Sequence, residues 1–142
     1  VGQGVYGIEV HDFDGDGDMD IVSVDYYAEA LELWLNDGSG SFLPSQVAAV
    51  LSPPLGIGSA DIDGDGDYDL GSSDDGTGAL NWYQNDGSAA FSPINIATLP
   101  DAIHADDIQL ADLNGDGTVD LLYAETDDVI FYANSGGGTF PP

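Results

Sequence analysis

The chain has 142 residues with 27 Asp plus Glu, no Lys, no Arg, two His and a formal charge of −27. Nothing cationic is available to contact phosphate, so nucleic acid and anionic membrane surfaces are poor partners. The absence of Cys removes disulfides, thiol catalysis and thiolate zinc sites together. Hydrophobic residues make up 42 %, enough for a packed core. No apolar run approaches the roughly 20 residues of a membrane span, so no membrane insertion is expected. The opening Val1-Gly2-Gln3-Gly4 carries no signal-type region, and a secreted form is expected to be a mature chain or a fragment.

In chain order, Gly7 to Val10 reads as a first short strand that enters an acidic stretch, Asp12-Phe13-Asp14-Gly15-Asp16-Gly17-Asp18-Met19-Asp20. Ile21 to Val24 leaves it, and Leu31 to Leu35 forms a third run. Asn36-Asp37-Gly38 then supplies a hairpin turn before Phe42 and the stretch to Leu51. The acidic stretch returns from Asp61 and again from Asp112, at offsets of 49 and 51 residues. The turn returns as Asn85-Asp86-Gly87 and Asn134-Ser135-Gly136, at offsets of 49 and 49. Two landmarks keeping nearly one period define a threefold repeat. A repeat of about 40 to 50 residues built from four antiparallel strands is the signature of a propeller blade. The expected fold is therefore all-β, a single repeat domain over 1–142, with blades at about 1–51, 52–100 and 101–142. The last blade is incomplete, and the array is open rather than a ring closed within one chain. In the third strand of each repeat, Leu33, Trp82 and Phe131 occupy one face and Trp34, Tyr83 and Tyr132 the other. Large side chains on both faces imply cover on both sides, as in stacked blades.

The acidic loops carry the chemistry. Numbered from the first Asp, each places a carboxylate or amide at positions 1, 3, 5 and 9, with Gly at 6 and a backbone carbonyl available at 7. Alternating oxygen donors around a bend that needs positive φ are what a hard cation with six to eight oxygen ligands requires. The assigned side-chain ligands are Asp12, Asp14, Asp16 and Asp20 with the carbonyl of Asp18; Asp61, Asp63, Asp65 and Asp69 with that of Asp67; and Asp112, Asn114, Asp116 and Asp120 with that of Thr118. Three Ca²⁺ ions are expected, one per loop, because a crowded all-protein cage suits the larger ion better than Mg²⁺. As bare polar turns these loops would be costly, since two unit charges about 4 Å apart repel by roughly 4 kcal/mol at an effective dielectric of about 20.

An EF-hand would need a bidentate Glu at position 12, where this chain has Ser23, Ser72 and Tyr123, and flanking helices where it has strands. The D-x-D-x-D-G-x-x-D loop between two strands instead resembles the FG-GAP or VCBS-type repeat of integrin α-like β-propellers, over essentially the whole chain. That resemblance implies calcium-bearing blades, usually in extracellular proteins concerned with adhesion, ligand recognition or carbohydrate. Propellers of that kind close with more blades than three. The open terminal faces are therefore expected to be covered by further copies of the chain, as a ring or filament, or by the remaining blades of a larger propeller.

The function expected on this reading is an extracellular, secreted or cell-surface, calcium-binding structural or adhesive module. A lectin-like, glycan-binding propeller using Tyr26, Tyr27 and Trp82 is the alternative, and a module of a carbohydrate-active enzyme the second. Catalysis is not expected. His11 stands where the other repeats have Ala60 and Ala111, His104 lies in a two-residue expansion before the third repeat, and neither has a nucleophile partner in sequence.

Overall fold

The structure, a computed structural model, describes residues 4–49, 53–98, 105–125 and 128–141. Among them there is no helix. Eleven strands form three antiparallel sheets. The first sheet has the order β1 (Val5–His11), β2 (Asp20–Asp25), β3 (Ala30–Asn36) and β4 (Phe42–Ala49). The second repeats it with β5 (Pro54–Ala60), β6 (Asp69–Asp74), β7 (Ala79–Asn85) and β8 (Phe91–Thr98). The third has β9 (Ala105–Ala111), β10 (Asp120–Glu125) and β11 (Asp128–Tyr132). The chain is thus an open row of propeller-type blades. His104 and the end of the first repeat's last run, Val50 and Leu51, lie outside the described residues.

Each blade is a meander because its connections are local. The turn after β3 is longer than a two-residue hairpin loop. Its closing bond runs from the Asp37 amide to the Ser41 carbonyl at 3.1 Å. The Asp37 carboxylate accepts the amides of Ser39 and Ser41 at 2.9 and 3.2 Å, so a side chain takes over bonds that a tighter turn would make with backbone. These donors, led by the Ser39 hydroxyl, hold the Asp37 carboxyl below its usual range.

The blades meet along their first strands, β5 lying beside both β1 and β9. Small residues permit that approach. A Cβ added at Gly7 would stand 2.8 Å from Ile57 Cγ2, and one at Gly56 3.1 Å from the Ile108 amide nitrogen. Between the first two sheets, Phe13, Val22, Leu31 and Leu33 pack against Ile57, Leu70 and Tyr83. Between the second and third, Leu80 packs with Ile108, Leu121 and Tyr123, while Trp82 joins Ala60 and Ile62. The central blade is consequently covered on both faces. Burying these aliphatic and aromatic side chains, at about 25 cal/mol per Å², is the main force holding one blade on the next.

One buried group works against this packing. Asp74, at the end of β6, receives one bond among the described residues, from Asn81 Nδ2 at 3.2 Å, and its buried Oδ1 has no partner among them. Burial pushes its pKa up to about 6. A native carboxyl with a raised pKa favours the protonated fold. Its penalty therefore grows as pH rises from the unfolded value near 4 and is complete above the folded one. Asp74→Asn is expected to stabilise the chain by about 2 kcal/mol above about pH 6.5 and to be nearly neutral below about pH 4. Urea midpoints of both proteins across that range check it, and a larger gain at the acid end would contradict it.

Candidate metal centres

The three acidic loops run from β1 to β2, β5 to β6 and β9 to β10, all at one end of the blades. Their shape follows from side chains accepting the loop's own amides. Asp12, Asp61 and Asp112 each accept the position-6 glycine amide, from Gly17, Gly66 and Gly117, at 2.9, 3.1 and 3.0 Å. Those glycines have φ of +96°, +103° and +88°, in the left-handed region that a side chain disfavours. Asp14, Asp63 and Asn114 accept the amide two residues on at 3.2, 3.2 and 2.8 Å, and Asp16, Asp65 and Asp116 do the same at 2.9, 3.0 and 2.9 Å. Each side chain spends part of its acceptor capacity on the turn and keeps the rest.

In the first loop, carboxylate oxygens of Asp12, Asp14 and Asp20 lie within 4.8 Å of one another, and in the second those of Asp61, Asp63 and Asp65 do. Asp16 falls outside the first group and Asp69 outside the second. The third loop forms no such carboxylate group among the described residues. Its third position is the amide Asn114, whose Nδ2 donates to Asp116 Oδ2 at 2.8 Å, and the Thr118 hydroxyl and amide hold the Asp116 carboxyl below its usual range. The side chains of Asp18 and Asp67, residues assigned from the sequence through their main-chain carbonyls, lie over Gly38 and Gly87 of the following turn. Thr118 makes the corresponding reach, its hydroxyl donating to the Asn134 carbonyl at 2.9 Å.

The residues present fit a hard cation. Asp12 Oδ1 is buried and has no hydrogen-bond partner among the described residues. Such an oxygen is costly unless a proton or a cation reaches it. Burial pushes the Asp14 carboxyl up, and the charges of Asp20, Asp16 and Asp12 add to that effect.

Asp20, Asp69 and Asp120, assigned as ligands from the sequence, carry a second duty. All three are buried. One oxygen accepts the amide of Phe13, Ile62 or Leu113, each at 3.0 Å, and the other accepts the amide of Asn36, Asn85 or Asn134 at 2.9, 2.8 and 2.9 Å. They bolt the loop to the end of the third strand. Burial outweighs those two donors at Asp69 and pushes its pKa up to about 6.

Sequence reasoning missed the asparagine that starts each turn. Asn85 Nδ2 donates to the Phe13 carbonyl of the preceding blade at 2.8 Å and to the Tyr68 carbonyl of its own at 3.1 Å. Asn134 repeats this with Ile62 at 2.8 Å and Val119 at 3.0 Å. The signal was the recurrence of Asn at one column, which turn formation alone does not demand. Gln84 was also missed. Its Nε2 donates to Asp63 Oδ2 at 2.6 Å.

The histidine and aromatic assignments separate. His11 stacks on Tyr68 of the next blade, ring centroids 3.8 Å apart, and burial pulls its pKa down. The pair lines a groove of about 360 Å³ with Asp12, Gly15, Met19, Gly66 and Asp67. Tyr26 is half-buried at the opposite end of the blade, donating to Asp75 Oδ2 at 2.9 Å, with the rings of exposed Tyr6 and Tyr27 each 5.4 Å away. Trp82 corrects the expectation of an exposed aromatic. It is buried between the second and third blades, where its large apolar area is worth more than in water.

The FG-GAP-like repeat matches residues 12–72 and 61–123, each match running from one acidic loop through the next. The chain belongs to the FG-GAP-like repeat family. No curated protein matches it. Among solved structures, a lectin of Agrocybe aegerita described as specifically recognising non-reducing terminal N-acetylglucosamine aligns with a TM-score of 0.68 at 23 % identity. The alignment covers 96 % of this chain and 36 % of that one, so the FG-GAP-like chain spans little more than a third of the lectin's length. At that identity the likeness is one of fold.

Proposed function

We propose that this FG-GAP-like chain is a non-catalytic, extracellular structural and adhesive module whose blades are stiffened by Ca²⁺ in the loops between first and second strands. The group of three carboxylates, of which Asp12 keeps a buried Oδ1 unpartnered among the described residues, carries the reading. A bound cation would satisfy that oxygen, draw positions 1, 3 and 5 together and so tie each blade's first strand to its second. Weak calcium sites fill outside cells, which favours that location. Isothermal titration with CaCl₂ is expected to give three sites per chain, the third loop weakest because Asn114 replaces a carboxylate. Uptake of no calcium at millimolar concentration would refute the proposal.

Glycan recognition is the second reading, supported by exposed Tyr6 and Tyr27 flanking half-buried Tyr26 beside Asp75 and by the propeller fold shared with a lectin. A glycan array that stays blank in calcium would end it.

A further inference from the structure

We propose that the chain docks head-to-tail on a second copy of itself, the first blade of one copy seating on the third blade of the next through the contact its own blades already make. The two outer faces are the two halves of that contact. In the column Ile8, Ile57, Ile108, the second and third members are 7 % and 1 % exposed beneath the preceding blade, whereas Ile8 is 61 % exposed. In the column Leu33, Trp82, Phe131, the first two are 2 % and 4 % exposed beneath the following blade, whereas Phe131 is 46 % exposed. Val10, Ile21 and half-buried Trp34 extend the first open face across β1, β2 and β3, and Val129 extends the other along β11.

The polar contact is divided in the same way. Between blades, an Asn side chain from the later blade donates to the carbonyl of the second loop residue in the earlier one, Asn85 to Phe13 and Asn134 to Ile62. Asn36, the first of the series, donates among the described residues only to Met19 of its own blade, at 3.2 Å. Leu113, the last acceptor of the series, has no following blade among the described residues. One copy therefore holds the spare donor and the spare acceptor, on opposite faces. A contact between unlike faces closes into a ring or runs on as a filament according to its rotation. The docking does not depend on what the acidic loops bind.

Charge sets the conditions. Two copies at −27 each repel, and raising salt from about 0.1 to 1 M shortens the screening length from roughly 10 to 3 Å. Association is expected to strengthen with salt. Sedimentation velocity of the full chain, folded by circular dichroism, is the test, at about 50 μM in 1 M NaCl. The chain is expected to sediment as a dimer or larger. Ile8→Asp and Phe131→Asp, each at an exposed position, are expected to be monomers alone and to form a one-to-one dimer when mixed, because the pair retains one open face of each kind. Val10→Asp and Val129→Asp serve if either first choice fails to fold. Asn36→Ala is expected to weaken association about fivefold, the worth of one hydrogen bond. A monomeric wild type would overturn the proposal, and so would a Phe131→Asp protein that pairs with itself.

Discussion

Stripping calcium from the chain with EDTA is expected to lower its melting temperature by roughly 8 to 16 °C, and restoring millimolar Ca²⁺ to reverse the fall. Extracellular calcium modules bind with dissociation constants of about 10⁻⁴ to 10⁻³ M, so at tenfold excess each site adds about 1.4 kcal/mol by mass action. Three independent sites supply roughly 4 kcal/mol, and a chain of this size shifts by about 2 to 4 °C for each kcal/mol. Asp61→Ala is expected to lower the melting temperature further than the loss of one ion, because Asp61 also accepts the amides of Gly64 and Gly66 at 2.8 and 3.1 Å. Mg²⁺ at the same concentration is expected to restore far less, since it sheds its waters reluctantly. Glu29→Ala, in the turn at the far end of the blade, is expected to leave the calcium effect intact. Scanning calorimetry checks all four. An EDTA scan that overlays the calcium scan would show that the acidic loops hold their shape through their own hydrogen bonds alone.

The second large effect is expected at the asparagines that join the blades. Asn134→Ala removes the bonds to the Ile62 and Val119 carbonyls and the acceptor for the Gly136 amide at 2.9 Å, all at a buried side chain. A loss of about 2 to 4 kcal/mol is expected from three hydrogen bonds whose surviving partners stay desolvated. Asn85→Ala is expected to fall toward the lower end, because the Phe13 carbonyl keeps the Ala89 amide at 3.1 Å. Asn36→Ala, whose side chain makes no bond to another blade among the described residues, is expected to cost under about 1 kcal/mol in dilute monomer. Urea midpoints at low salt give the three values. Equal losses at all three positions would mean that the asparagines serve their turns and not the joints between blades.

The site was legible to the extent that it is local. Asp14 accepts an amide two residues on and Gly17 takes positive φ whatever lies across the next blade, so the Asp and Gly spacing alone locates the loops. The strands follow for the same reason, each being a short run between turns. Asp20 was legible as an acid but not as a bolt, because its partner amide on Asn36 lies 16 residues away at the end of another strand.

The sequence by itself determined the period, the all-β class and the three oxygen-rich loops, since each is written in residues within a few positions of one another. Only the tertiary structure decided that Trp82 is buried while Phe131 of the same column is open, that His11 lies on Tyr68, and that Asn85 reaches a carbonyl 72 residues back. Repeats with nearly one local sequence have different neighbours, and burial and long-range hydrogen bonding depend on the neighbour.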